Sequence, residues 1–129
     1  MSDRREFLSA LGLATAAAIA PALEAREIQA NTLHRQALPE PFSGWEARFV
    51  DVQFPAGVAS APHRHPGFVL GYVIEGEFRF ALNGDPPRIL GRGEVFYEPP
   101  GAEHTVGDSA STKRDARVLA IIVAPVEKA

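Results

Sequence analysis

Three of the four histidines in the sequence lie where they could share a metal ion. His63 and His65 are two positions apart, so in an extended chain both imidazoles project from the same face. His104 follows a Pro-Pro-Gly turn about forty positions later, where a strand that folds back could place it beside the pair. Three neutral imidazoles can bind Zn, Fe, Mn, Ni or Cu and leave coordination positions open for water or substrate.

Glu98 is the candidate for a carboxylate beside the metal, as a ligand or as a catalytic base. It ends an apolar run, 95–97, and stands directly before the Pro-Pro-Gly turn that leads to His104. A carboxylate in that position is costly to bury unless it is paired with a charge or bound to a metal. Two alternatives stay open. Glu98 lies beside the metal, as ligand or general base, or it lies on the rim and forms a salt bridge with an arginine.

Short apolar runs separated by Gly and Pro predict an all-β domain that positions these residues. Gly and Pro each occur eleven times, mostly between such runs, which is typical of many short strands joined by tight turns. A hairpin is predicted around Glu75-Gly76, because an apolar run, 68–74, precedes this turn and alternating residues, 78–82, follow it. Other strands are predicted over 45–54, 88–90, 95–97, 104–106 and 117–126.

Aromatic side chains in the predicted strands are candidates either for the core or for the wall of a pocket. The core is the expectation for most of them, since aromatic residues in strands are usually buried. Tyr72 and Tyr97 are predicted to place hydroxyl groups in a substrate pocket, and Phe80 is predicted to line it. Arg79 is expected on a solvated outer face, with contact to an anionic substrate as the alternative.

Two sequence motifs resemble those of the cupin family. The first runs from a glycine through His-x-His to a later glycine, and it is matched by Gly57, His63, His65 and Gly76. The second runs from a glycine through Pro-x-Gly to a histidine, and it is matched by Gly93, Pro99, Gly101 and His104. The resemblance implies a double-stranded β-helix, also called a jelly-roll barrel, with a divalent metal ion inside it.

The sequence departs from the family pattern at one position. Cupins usually supply a glutamate ligand a few residues after the second histidine, but Val69 stands at the expected place and cannot bind a metal. The resemblance therefore implies either a three-histidine site or a site that another side chain completes. Glu98 is the best candidate for that side chain.

The composition excludes several classes of function. A chain of 129 residues has room for one domain with a core of its own. Because there is no cysteine, disulfides, thiolate ligands and a cysteine nucleophile are all excluded. The formal net charge of −3 gives no indication of a nucleic-acid partner.

The N-terminal segment is interpreted as an export signal. Arg4 and Arg5 precede Phe-Leu and an Ala- and Leu-rich stretch, an arrangement that resembles the twin-arginine signature. That stretch, 10–22, is shorter than the ~20 residues of a bilayer span, so no stable membrane span is predicted. The alternative is an amphipathic helix packed on the barrel. The predicted segments are a signal peptide over 1–25, an N-terminal arm or edge segment over 26–44 and the barrel domain over 45–126.

The resemblance allows oxygenase, isomerase, decarboxylase or lyase chemistry on a small oxygen-rich or carbonyl substrate. We predict such a metalloenzyme, exported to the periplasm or beyond, with a non-catalytic module that binds a small molecule as the alternative. A metal-free barrel that serves dimerisation is a third possibility. A homodimer is predicted, because the edge strands of a small sheet favour association.

Overall fold

Antiparallel β-strands build the structure, a computed structural model that describes residues 26–127. The strands in this part of the chain are β1 (Gln29–Ala37), β2 (Trp45–Phe54), β3 (His63–Arg64), β4 (Phe68–Glu75), β5 (Phe78–Leu82), β6 (Arg88–Leu90), β7 (Val95–Glu98), β8 (Glu103–Ser109) and β9 (Ala116–Pro125). They form a five-stranded sheet in the order β1-β2-β9-β4-β7 and a four-stranded sheet in the order β3-β8-β5-β6. The prediction of an all-β fold is confirmed.

Strand alternation directs one face of each sheet into a shared core. In β9 every second residue from Ala116 to Ala124 is buried, as expected for a strand between two hydrogen-bonded neighbours with one face in the core. Phe78 and Phe80 of β5 belong to the same buried cluster as Val118 of β9, so the two sheets share this core. Three of the inward positions of β9 are alanines, whose small side chains leave space in the interior.

The chain between β4 and β5 crosses from one sheet to the other. β4 pairs with β7 and β9, whereas β5 pairs with β6 and β8, so the predicted hairpin between β4 and β5 is wrong. The turn itself is at the predicted place, and Gly76 adopts a φ of 79°. A Cβ atom at Gly76 would collide with the backbone of Asp115, so the corner requires glycine for space as well as for conformation.

Strand β1 lies within the segment that is predicted to form an N-terminal arm or edge segment. It is an edge strand and pairs with β2 from Gln29 to Ala37, with a bulge between Thr32 and His34. The predicted signal peptide, 1–25, lies outside the described residues. Within residues 26–127, no helix is long and apolar enough to cross a bilayer.

We expect Asp51→Asn to lower the free energy of unfolding by about 1 kcal/mol at neutral pH, because two hydrogen bonds from Arg117, of 3.0 and 2.8 Å, lose their ionised acceptor. These bonds hold the pKa of Asp51 below its ordinary value, although burial acts in the opposite direction. The stabilisation is therefore complete above the unfolded-state pKa of about 4 and is lost as the pH falls through the lower folded-state pKa.

Urea unfolding of the wild type and of this variant, followed from neutral to strongly acidic pH, checks this expectation. The difference in stability should shrink on acidification. Asp85→Asn, in an exposed turn, is the matched control and should change stability by less than about 0.5 kcal/mol. A difference that does not vary with pH would contradict the assignment.

Candidate metal centre

The pairing of β3 with β8 brings the three histidines together. His63 and His104 are direct partners across these two strands, and their ring centroids are 5.0 Å apart. The ring centroid of His65 lies 4.8 Å from that of His63. One ligand atom from each of the three side chains lies within 4.8 Å of the other two, so the cluster could hold a metal ion.

Contacts outside the cluster orient His63 and its segment. The Nδ1 atom of His63 lies 2.9 Å from the carbonyl oxygen of Ala61. Because a carbonyl oxygen can only accept, Nδ1 carries the proton and Nε2 keeps the lone pair that a metal needs. Arg64, which points away from the cluster, donates a hydrogen bond to the carbonyl of Gly101 in the turn before His104. The segments that carry His63 and His104 are thus joined by this hydrogen bond as well as by the pairing of β3 with β8.

His104 is held among aromatic rings in the interior. It is 5% exposed, and its ring centroid lies 5.1 Å from that of Phe80. Gly107 leaves room for the imidazole, since a Cβ atom there would lie 2.8 Å from its Nε2. Neither ring nitrogen of His104 has a hydrogen-bond partner among the described residues. Burial, followed by the charge of His63, lowers the pKa of His104 to about 4, so the ring is neutral at pH 7, as a metal ligand must be.

Glu98 lies inside the barrel beside two of the histidines. It is 4% exposed, with Oε2 3.3 Å from His104 Nδ1 and Oε1 3.7 Å from His65 Nε2. The 3.3 Å contact does not have the geometry of a hydrogen bond, and Oε1 has no partner among the described residues. Burial raises the pKa of Glu98 to about 7. Its ionic contacts in residues 26–127 are to histidines, which does not fit the alternative of a rim salt bridge with an arginine.

Glu98 lies opposite Val69, the residue at the family's usual glutamate position. Val69 and Glu98 are direct partners in the β4–β7 pair. Side chains at opposed positions of an antiparallel pair project from the same face about 5 Å apart. The carboxylate therefore enters nearly the same part of the interior from the neighbouring strand. With three imidazoles, one carboxylate and unsatisfied buried atoms, the residues present fit a divalent metal ion.

The cluster opens into a cavity of about 360 Å³ between the strands. Most of its wall is apolar, and residues of β1, β2 and β9 contribute to it. This volume is at the lower end of the range of about 300–1,000 Å³ that is typical of small-molecule pockets. Burial, then the charge of His63 and then that of Arg48 lower the pKa of His65.

The predicted pocket residues are placed differently from one another. Phe80 is buried against His104 and against Phe96, with ring centroids 4.5 Å apart in the second pair, and it does not line the cavity. Tyr72 and Tyr97 are 46% and 50% exposed and do not line the cavity beside the histidines, but they line a separate pocket on the other side of β4 and β7, so their role in a substrate pocket stays a prediction. Alternation explains their position, because the inward positions of β4 and β7 belong to their neighbours.

Sequence reasoning missed three contributors to the site. Gly107 admits His104, and a glycine inside a strand is a known signal of close approach. Arg48 lines the cavity, and its signal was the alternation that places it on the same face as Val50. Thr32 of β1 also lines the cavity, but no pattern in the segment indicated it. Arg79, by contrast, forms a two-bond ion pair with Asp108 on β8.

A family model described as Cupin_2, the cupin domain, matches residues 50–122. This span covers more than half of the chain and contains all three histidines and Glu98. The chain is a cupin. An rmlc-like cupin family protein with a double-stranded β-helix fold, from Methanocaldococcus jannaschii, matches it with a TM-score of 0.61 and 16% identity, over 80% of the cupin and 84% of that chain. This likeness concerns the fold alone, and it confirms the predicted double-stranded β-helix.

Two other proteins share more of the sequence. KdgF from Halomonas sp. matches with 25% identity and a TM-score of 0.60, over 78% of the cupin and 82% of that chain. Dimethylsulfoniopropionate lyase DddQ of Ruegeria pomeroyi is 34% identical over 64 residues, which are 50% of the cupin and 32% of the lyase. The crystal structure of DddQ matches with 27% identity and a TM-score of 0.62, over 79% of the cupin and 49% of that chain. The cupin thus spans about a third of the length of this curated relative.

We expect the cupin to bind about one equivalent of Zn²⁺ and His104→Ala to lower the affinity by more than about 100-fold, because one ligand is removed from a shared ion. Glu98→Gln should lower it by at least about tenfold where Glu98 is a metal ligand and leave it nearly unchanged where Glu98 is only the base. The same change should not lower the stability of the metal-free protein, because a neutral amide of similar size replaces a buried carboxylate.

Equilibrium dialysis with elemental analysis measures these affinities, and urea unfolding measures the stability. His34→Ala is the control, since His34 is on β1, hydrogen-bonds to Gln36 and is not part of the cluster. Zinc affinity that is equal in the wild type and in His104→Ala would show that the cluster is not a metal site.

Proposed function

We propose that this cupin is a metal-dependent enzyme that acts on a small oxygen-rich or carbonyl substrate within the cavity. The observation that carries the proposal is the position of the cluster. Three histidines and a buried carboxylate with unsatisfied polar atoms line a cavity large enough for a small molecule. A closed structural metal site would need no such cavity beside it. Fe, Mn, Zn, Ni and Cu all suit this set of ligands.

The chain's own residues have separate tasks in this proposal. His63, His65 and His104 hold the ion, which when bound would polarise an oxygen of the substrate and stabilise negative charge that develops there. Phe78 and Phe96 line the cavity with apolar surface and limit the access of water. Glu98 is the only carboxylate among the described residues that line the cavity. It serves as a metal ligand or, where it does not bind the ion, as the base that takes a proton from the substrate.

Among the reaction classes that the family allows, lyase chemistry is our first choice. It is supported by the likeness to DddQ, whose name gives dimethylsulfoniopropionate as its substrate. In such an elimination a base removes a proton from the carbon next to the carboxylate. The electron pair of that C–H bond forms the C=C bond, and the C–S bond breaks with its electrons leaving on sulfur. The products are acrylate, dimethyl sulfide and the proton held by the base.

A second candidate function is capture of a small molecule without catalysis. The observation that favours it is Val69, because the family's usual glutamate is replaced and Glu98 would have to take over as ligand. If Glu98 is committed to the metal, no other carboxylate among the described cavity residues can act as a base. The two candidates therefore differ in turnover rather than in binding.

We expect the metal-loaded protein to release dimethyl sulfide from dimethylsulfoniopropionate, and Glu98→Gln to lower kcat by at least about 100-fold because the amide cannot take a proton. Headspace gas chromatography measures the product. Glu77→Gln, at an exposed position in the corner between the sheets, is the control and should retain wild-type activity. Saturable binding of the compound without product, for each of the candidate metals, would favour the capture function instead.

We also propose that the cupin is exported and forms a homodimer. The Arg4-Arg5 pair before an Ala-rich stretch supports export, and periplasmic fractionation of an Arg4→Lys, Arg5→Lys variant tests it.

Leu70 of β4 and Tyr97 of the edge strand β7 are exposed on the outer face of the sheet and support pairing into a homodimer. Light scattering should give twice the monomer mass for the wild type and the monomer mass for Tyr97→Glu. A wild-type monomer would contradict the pairing.

A further inference from the structure

Arg48 is a charged side chain in a wall that is otherwise almost entirely apolar. It occupies an inward position of β2, on the same face as Val50, Val52 and Phe54, and all four residues line the cavity. Among the described residues of that wall, it is the only side chain that is positively charged at every physiological pH. Its side chain is 31% exposed, so it stands where the cavity meets solvent.

The contacts of Arg48 within the protein do not account for this position. Its ion pair with Glu46 joins Nε to Oε2 at 3.9 Å, which is beyond hydrogen-bond distance. The same carboxylate lies closer to Arg35, at 3.4 Å, and Glu46 does not line the cavity. No hydrogen bond from the guanidinium is found within residues 26–127. Its donors are available to a molecule in the cavity.

The charges of the loaded site also favour an anion. A divalent ion held by the three histidines would keep a net positive charge even if Glu98 were ionised beside it, and Arg48 adds a further positive charge to the same cavity. Apolar walls strengthen the attraction between that charge and an anionic ligand. Thr32 lines the cavity next to Arg48 along the sheet, because it pairs with Val50 in the β1–β2 register, and its hydroxyl group is a further donor.

We propose that Arg48 binds the carboxylate of the substrate in this cavity, so that the cupin selects small carboxylates. The guanidinium has the planar pair of donors that matches a carboxylate. Arg48 is therefore a specificity-determining residue and does not take part in proton transfer. This inference rests on the proposed function and narrows its substrate class.

Two probes of equal size, 3-hydroxypropionate and 3-hydroxypropanamide, test the inference, because they differ in charge but not in the number of heavy atoms. Calorimetric titration of the Zn²⁺-loaded full-length protein should give at least tenfold tighter binding of the acid. Arg48→Gln should weaken binding of the acid by about tenfold or more and leave the affinity for the amide unchanged. Arg48→Lys should retain part of the preference, since it keeps the charge but loses the planar pair of donors.

Arg35→Gln is the matched control, because Arg35 shares the ion pair with Glu46 but does not line the cavity. It should retain the full preference for the acid. The inference is overturned if the wild type binds both probes alike or neither, if the preference survives in Arg48→Gln, or if Arg35→Gln loses it equally. Preference that survives in Arg48→Gln would mean that the carboxylate binds the metal directly.

Zinc content measured on the same samples separates this inference from the proposed function. A wild-type protein that binds no zinc refutes the metal site, and the acid and the amide are then compared on the metal-free protein, where Arg48 should still favour the acid. A protein that keeps its zinc while showing no dependence on Arg48 refutes the specificity role alone.

Discussion

Burial of polar atoms without partners is the constraint on which the rest of this structure depends. Glu98 and His104 are both buried, and three of their nitrogen and oxygen atoms have no hydrogen-bond partner among the described residues. Each such atom costs on the order of 1–3 kcal/mol relative to a satisfied one. A divalent ion would satisfy the carboxylate oxygen and one nitrogen of His104, since it replaces the lost hydration of the carboxylate and uses the single lone pair of the neutral imidazole. Such an ion would thus offset a cost of burial as well as supply the chemistry that we propose.

The pairing register of the strands, rather than spacing along the chain, brings these side chains together. His63 opposes His104 in one sheet, and Val69 opposes Glu98 in the other. Because opposed residues share a face, a carboxylate at position 98 of β7 reaches the same region of the interior as one at position 69 of β4 would. In the sequence, the family's usual glutamate position holds Val69. A carboxylate therefore lies in this region of the interior although the family's usual glutamate position holds a valine.

The sequence was sufficient for the parts of the site that depend on local geometry. Strand alternation predicted that His63 and His65 share a face, and the Pro-Pro-Gly turn predicted the return of His104. It was not sufficient where distant pairing decides the outcome. The run after Gly76 has the pattern of a hairpin, but the pattern does not say whether the next strand pairs with its predecessor or crosses to the other sheet. The placement of Tyr72 and Tyr97 outside the histidine cavity has a related reason, since alternation fixes which residues share a face but not which face is inside.

Strand alternation also explains the inward position of Arg48, which was not predicted from the sequence. Val50, Val52 and Phe54 marked the inner face of β2, and continuing that face by one step places an arginine in the wall. A long charged side chain at the end of an apolar row usually extends to solvent, and its stem covers the row beneath it. Here the small inward side chains of β9, including Ala120, leave a cavity below that arginine instead of a filled core. Above a filled core, the side chain of Arg48 would only cover the apolar residues beneath it. Because a cavity lies there instead, Arg48 is at the mouth of that cavity, and its charge can attract an anionic molecule that enters.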